Sequence, residues 1–249
     1  MAKIDKSQYT KEEWRKIKHE RQLAKRKRRA DKALKTNKHF VENLKKQTST
    51  RTKSKVAFVI GNGTSRQGID LEKLQQYGPV YACNAVYRDM DPDYLVAVDV
   101  KMVLELNKAG YQYKNPNVWT NPNKSSLTMK GFNYFQPSKG WSSGPTALWL
   151  ASQHGYEKIY ILGFDFKGIG TDLNAFNNLY ADTNNYKKST DGATFFGNWS
   201  RQTVSVIKDT VNVNFIRVIL ADNYQPEELN NFANFNAIHK EDFIKIFQI

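Results

Sequence analysis

The sequence predicts an α/β domain, a mainly parallel sheet with helices on both faces, preceded by a basic N-terminal arm that is helical or disordered. Three observations predict it. From residue 56 onward, short apolar runs alternate with helical stretches and turn signals, as strand–helix repeats around a parallel sheet require. Residues 1–55 hold 20 of the 38 Lys/Arg and 6 of the 24 Asp/Glu, so the net charge of +14 lies there and residues 56–249 balance at 18 of each. Between the two, residues 47–55 (QTSTRTKSK) contain no apolar residue and read as a linker. The expected division is an arm and linker over 1–55 and a folded domain over 56–249.

Residues 11–47 contain no Pro or Gly and are rich in Lys, Arg, Glu, Leu and Ala, so helix is the favoured ordered state. Trp14, Ile17, Leu34, Phe40, Val41 and Leu44 are too sparse for a continuous stripe, which makes that helix weakly amphipathic. Lys25, Arg26, Lys27, Arg28 and Arg29 are consecutive and repel one another unless a polyanion compensates them. Nucleic acid, DNA first, is the expected partner, because each phosphate contact releases condensed counterions. Such contacts localise a protein without choosing bases. The same charge also describes a solvated tail, or one that meets an acidic partner or an anionic membrane surface.

Along the domain, strands are predicted at 56–60 (VAFVI), 79–83 (PVYAC), 94–98 (YLVAV), 116–120 (PNVWT), 158–162 (KIYIL) and 213–219 (VNFIRVI). Helices are predicted at 69–77, 100–109, 144–154 and 200–210. Ligands of such sheets bind where the strands end at their carboxyl side. Those ends carry Gly61, Asn62, Gly63, Thr64 and Ser65; then Asn84; then Asp99; then Gly163, Phe164 and Asp165. The loop before the 144–154 helix adds Trp141, Ser142, Ser143 and Gly144. Glycines let backbone approach a ligand closely, and Ser or Thr at a helix start can leave N–H groups for phosphate, although turns use the same residues. The 61–65 turn is no dinucleotide fingerprint, since Arg66 stands where a third glycine is needed and Asn84 where an acid is expected. It also lacks the Gly-Lys-Ser/Thr of a phosphate-binding ATPase loop. A mononucleotide or nucleotide sugar fits better.

Residues 167–199, rich in Gly, Asn, Thr and Tyr, are too long for a simple connection and read as a lid over the ligand. Tyr180, Tyr186, Phe195, Phe196 and Trp199 in it suit stacking on a sugar or base, or ordinary packing. His154, before Gly155, reads as a helix-terminal cap residue. Asp89, Asp91 and Asp93 could suggest a metal, but an Asp-Pro turn explains them at least as well; no metal is firmly predicted and metal dependence is left open. Cys83 has no second cysteine to pair with, and no run reaches the roughly 20 apolar residues of a membrane span. The expected location is cytoplasmic, that of the host cell for a viral protein. Oligomeric state is left open.

The stretch VIGNGTSRQGIDLEKLQQYGPVYACNAVY, followed by WSSGPTALWLASQHGYEKIYILGFDF, resembles the bacterial sialyltransferases of glycosyltransferase family 42. PDYLVAVD, residues 92–99, is similar to the related motility-accessory-factor domains. The resemblance spans roughly residues 56–219 and implies a Rossmann-like domain that transfers a sugar from a nucleotide with inversion. It implies that Asn62, Gly63 and Ser65 hold phosphate or ribose, with Asn84 near the donor. Ser142, Ser143 and Gly144 would hold base and phosphate, and Gly163 and Asp165 the floor. Gly61 and Thr64 complete that donor-binding turn. This chain departs from the family at its base. The family histidine position is matched by Asn198, which cannot accept a proton, an arginine position by Gly140 beside Lys139, and a third-strand asparagine by Asp99. Anionic Asp99 would repel a sialic acid carboxylate, so a neutral sugar on CMP or UDP is expected.

For the base, Asp99 is the first candidate, Asp165 the second and Asp191 the third. Asp165 equally suits the structural role of a buried strand-end carboxylate that accepts loop N–H groups. The expected function is a glycosyltransferase acting on a hydroxyl, with a hydroxymethylated base in DNA as the acceptor that the basic arm suggests. The alternatives are a nucleic-acid-binding or structural protein on a degenerate transferase scaffold, or a transferase for a glycan or protein acceptor.

Overall fold

The computed structural model describes residues 10, 13–15, 17, 18, 21, 55–169, 172–192 and 197–249. Two units, Met1–Asn43 and Leu44–Ile249, are treated separately. In the first, Thr10 and Glu13 form a capping box: Glu13 N donates to Thr10 Oγ1 at 3.3 Å, and Thr10 N donates back to Glu13 Oε2 at 2.8 Å. Helical residues follow at 13–15, close to where the sequence predicts helix to begin. The basic run Lys25, Arg26, Lys27, Arg28 and Arg29 lies outside the described residues, as do Phe195 and Phe196.

Among the described residues the second unit holds eight strands in one sheet. They are β1 (Val56–Ile60), β2 (Val80–Cys83), β3 (Tyr94–Val96), β4 (Val118–Thr120), β5 (Asn133–Tyr134), β6 (Lys158–Leu162), β7 (Asn214–Ile219) and β8 (Phe235–His239). Their spatial order is β5-β4-β3-β2-β1-β6-β7-β8, and every pairing is parallel. The fold is therefore Rossmann-like α/β. Its chain runs outward from β1 through β5, returns to β6 beside β1, and runs outward again. The β1/β6 seam is the point at which a ligand crevice opens in such sheets.

Among the described residues, six α-helices complete it: α1 (Leu71–Leu74), α2 (Val100–Ala109), α3 (Tyr111–Lys114), α4 (Ser143–Ser152), α5 (Gly197–Asp209) and α6 (Lys240–Phe247). Strand alternation divides them between the faces. Phe58, Ile60, Val80, Tyr160 and Leu162 share one core with Leu74 of α1, Leu106 of α2, and Phe243 and Phe247 of α6. The ring of Phe58 lies 5.7 Å from Tyr160 and 5.1 Å from Phe247. Burial of each such aromatic contributes roughly 1.5–3 kcal/mol. The opposite face carries Val59, Tyr81 and Ile161 under α4, every residue of which except Gly144 is buried. α5 packs outside α4.

β1, β6 and α2 follow the predicted limits, because continuous apolar runs and the left-handed Gly110 (φ +65°) mark them plainly. The 69–77 helix shortens to α1, started by the Asp70 carboxylate on Lys73 N at 3.3 Å. β5, β8, α3 and α6 are additional to the predicted elements.

Candidate functional site

At the carboxyl ends of the strands lies a cavity of about 330 Å³, at the lower end of ligand-pocket sizes. It is lined by Gly61, Asn62 and Gly63 after β1, Asn84 after β2, Asp99 after β3, Gly163 to Asp165 after β6, and Ser142 to Gly144 at the start of α4. Residues far apart in sequence thus meet at one mouth. Thr64, Ser65 and Asp191 are not among its lining residues.

The 61–65 turn is held by the protein itself. Gly61 N donates to Leu162 O at 2.7 Å and Gly63 N to Gly163 O at 2.9 Å. Thr64 N and Oγ1 both donate to Asn177 Oδ1, at 2.8 and 2.9 Å. Ser65 N donates to Asp165 Oδ2 at 3.0 Å, and Ser65 Oγ to Asp165 Oδ1. Asn62 N–H alone of the turn has no partner among the described residues. Of the residues expected to hold phosphate or ribose, Gly61, Asn62 and Gly63 line the cavity, while the N–H groups of Gly61, Gly63, Thr64 and Ser65 are engaged within the protein and Ser65 is only 2% exposed. The glycines serve close packing. A Cβ on Gly61 would meet Gly163 O at 2.5 Å, and one on Gly163, at φ +67°, would meet Gly61 O at 2.8 Å.

Asp165 is a strut. Both its oxygens are engaged by Ser65, it is 4% exposed, and its charge acts on Arg217. Arg217 is itself 1% exposed, stacks 4.8 Å from the Phe166 ring, and is lowered to about 10 by burial against the pull of Asp165. Asp191 closes a surface turn, accepting Lys188 N at 3.0 Å, and is likewise not placed to act as a base. Arg66, in the position of the missing third glycine, braces the turn from below. Its Nε donates to Gly61 O at 2.8 Å, and its Nη2 to Tyr180 Oη at 2.7 Å and Asp89 Oδ2 at 3.2 Å.

The polar chain at the open side of the mouth is different. Val98 N donates to Ser143 Oγ at 3.0 Å, Ser143 Oγ to Asn84 Oδ1 at 2.8 Å, and Asn84 Nδ2 to Asp99 Oδ2 at 3.0 Å. Asn84 stands at φ +51°, a left-handed conformation that asparagine tolerates better than most residues. Asp99 is exposed, precedes α2 without capping it, and its Oδ1 has no partner among the described residues. It is a fixed carboxylate in the cavity wall with one oxygen unpartnered among the described residues. Ser142 N is engaged by Gln202 Oε1 at 3.0 Å, while Ser143 and Gly144 present the N-terminal N–H groups of α4.

The long segment after β6 is docked over this mouth. Leu179 N donates to Asn62 O at 2.8 Å, and Tyr186 Oη accepts Asn62 Nδ2 at 2.9 Å and Ala85 N at 3.3 Å. Its next turn is latched by Glu105, which accepts Arg88 Nη2 at 2.6 Å and Asn185 Nδ2 at 2.5 Å, while Arg88 Nη1 reaches Thr183 Oγ1 at 2.9 Å. The segment adds Asn177, Tyr186, Lys167 and Lys187 to the cavity wall, and α5 adds Trp199. Sequence reasoning assigned no role to Asn177 or to the two lysines; their signal was membership of the long polar segment. Asn198, at the position of the family histidine, accepts Arg201 Nη2 at 2.6 Å and does not line the cavity.

His154 follows the C-terminus of α4, its N–H bonded to Ala151 O at 3.0 Å. It is buried among Tyr81, Tyr94 and Tyr156, its Nδ1 bonded to Tyr81 Oη, and burial lowers it to about 4. Among the described residues no group of three or more His, Cys, Asp or Glu is arranged to hold a metal. No helix among them is long and apolar enough to cross a membrane.

No protein-family profile matches this chain, and no curated protein matches it. One solved structure with a likeness is the Bordetella bronchiseptica enzyme WbmH in complex with NAD+, at 9% identity. The match covers 70% of this chain and 60% of that one, with a TM-score of 0.26, too slight to bear on function.

Proposed function

We propose that the domain is a glycosyltransferase that moves a neutral sugar from a CMP- or UDP-linked donor to a hydroxyl, with Asp99 as the general base. The observation that carries this reading is the chain Ser143–Asn84–Asp99, which fixes a carboxylate with one oxygen unpartnered among the described residues in the wall of a cavity at the strand mouth. The acceptor hydroxyl attacks the anomeric carbon as its proton passes to Asp99, and the bond from sugar to phosphate breaks to release the nucleotide. Asn84 keeps Asp99 oriented throughout. The N-terminus of α4 favours the negative phosphate, and Trp199 stands in the cavity wall. Asp165 takes no proton in this scheme; it fixes the 61–65 turn. The resemblance to family 42 supports the same assignment of ligand, and the change of its asparagine to Asp99 supplies the base that Asn198 cannot be.

The basic arm delivers this domain to nucleic acid, and a hydroxymethylated base in DNA is the acceptor. Such a base has to leave the duplex to reach a cavity of this size. The test is incubation of the full chain with a panel of nucleotide sugars and plain or hydroxymethylated DNA, followed by mass spectrometry. The expected result is one hexose-sized mass added to hydroxymethylated DNA only. Donor binding without any product would favour the degenerate scaffold, and product on a glycan or protein would move the acceptor there. The same DNA should bind with steep salt dependence, lost on deletion of residues 1–55.

A further inference from the structure

The cavity's charged residues are few and unevenly matched. Two carboxylates line it, Asp99 and Asp165, and two cations, Lys167 and Lys187. Asp165 already faces the field of buried Arg217 and is tied to Ser65. Asp99 is bonded to the neutral Asn84 amide. Neither lysine forms an ion pair among the described residues. Lys167 Nζ lies 4.6 Å from the Tyr224 ring centre, and Lys187 Nζ donates to Gly192 O at 3.3 Å. Among the described residues both are therefore held by neutral partners.

The 61–65 turn leaves only the Asn62 N–H for phosphate, because the N–H groups of Gly61, Gly63, Thr64 and Ser65 are engaged within the protein. Negative charge entering the cavity thus meets the start of α4 and the two lysines. The lysines are placed by the docked segment. Lys167 N donates to Asp165 O at 2.6 Å, and Lys187 follows Tyr186, whose hydroxyl is fixed on Asn62. A sugar on a nucleoside monophosphate carries one negative charge at its linkage, and a sugar on a nucleoside diphosphate carries two. Two lysine side chains in the cavity wall match the second.

Resting on the transferase reading above, we propose that the donor is a nucleoside diphosphate sugar whose pyrophosphate is held by Lys167 and Lys187, which excludes a CMP-linked donor. Each lysine supplies a charge-assisted contact that a monophosphate can make only once.

The experiment is calorimetry of the full chain with UMP, UDP, CMP and CDP, with and without Mg2+, on wild type, Lys167→Ala and Lys187→Ala. The expected result is diphosphates binding about tenfold more tightly than their monophosphates without Mg2+, and each substitution removing about that factor for diphosphates alone. Equal affinity for mono- and diphosphates, or a diphosphate preference that appears only with Mg2+ and survives both substitutions, overturns the inference while leaving a nucleotide site. Absence of binding by all four nucleotides overturns the inference together with the transferase reading. Both lysines are on loops outside the core, so folding of the variants is checked simply by an unchanged melting temperature.

Discussion

Asp165 holds Ser65 by both carboxylate oxygens, one on the backbone N–H at 3.0 Å and the other on the hydroxyl. This clamp joins the end of β6 to the turn after β1 and gives the glycine-rich turn its shape. Replacing Asp165 with Ala leaves Ser65 N–H buried without its acceptor and Arg217 without its nearby opposite charge. We expect a loss of about 3 kcal/mol, because bonds to a charged acceptor are among the stronger ones and a buried orphan adds its desolvation cost. Ser65→Ala keeps the backbone bond and should lose about half as much. Gly63→Ala should match the larger loss, since its Cβ would stand 2.5 Å from Asp165 Oδ2, whereas Gly192→Ala meets nothing within 4 Å and should be neutral. Chemical denaturation of the four variants checks the ranking.

Asp99→Asn preserves shape and the contact to Asn84 but removes the proton acceptor. Turnover by the proposed transferase should fall by about 100-fold or more, with nucleotide affinity unchanged within about twofold. Asn84→Ala should lower turnover through misorientation and leave the pH profile of the residual rate in place, because the titrating group remains. Single-turnover rates beside calorimetry separate the two. Full activity in Asp99→Asn would remove it from the base role.

Glu105 joins the docked segment to the domain through Arg88, Asn185 and the Tyr87 hydroxyl, which donates to it at 2.6 Å. Glu105→Gln removes the charge from this junction and offers an amide where Arg88 needs an acceptor. Residues 183–187 should then exchange amide hydrogens about tenfold faster, with β1 and β6 protected as before. Hydrogen exchange by mass spectrometry reads both regions in one experiment. Uniform acceleration across the domain would show that the junction holds the fold, not only the segment.

How far the sequence alone carried depended on whether partners were near in the chain. β1 and β6 were legible because central parallel strands are apolar throughout, and α2 because Gly110 ends it. β8 was not, since Asn236 and Ala237 interrupt alternation on an exposed edge. The strand ends were legible as one mouth, because topology places carboxyl ends together. What engages the 61–65 turn was not. Asp165 lies 100 residues from Ser65 and Asn177 lies 113 from Thr64, and a polar side chain in an aperiodic segment carries no mark of its partner. Arg66 was read only as a failed glycine, although a buried arginine able to reach Gly61 O, Tyr180 and Asp89 together is a reason for that residue. His154 was placed correctly at a helix end, while its burial depends on three tyrosines contributed by other parts of the chain.

His154 predicts how stability responds to pH. Its Nδ1 is bonded to Tyr81 Oη, whose other neighbour is Tyr156 Oη at 2.9 Å, and its Nε2 is buried without a partner among the described residues. Protonation would put a charge in an aromatic layer and leave an N–H without an acceptor, which is why burial lowers it to about 4 from the ordinary 6.5. The folded state therefore keeps His154 neutral in a range where the unfolded chain takes up a proton. Stability is unaffected by this group above about pH 6.5, falls as the pH drops from there towards 4, and loses no more below it. The full loss is roughly 3 kcal/mol at 1.36 kcal/mol per unit. His154→Gln, which cannot titrate, should be less stable than wild type at pH 8 but lose less between pH 6.5 and 4. Urea midpoints for both proteins across that range give the difference directly. Parallel curves would mean that His154 is charged in the folded state and that its ring has an acceptor.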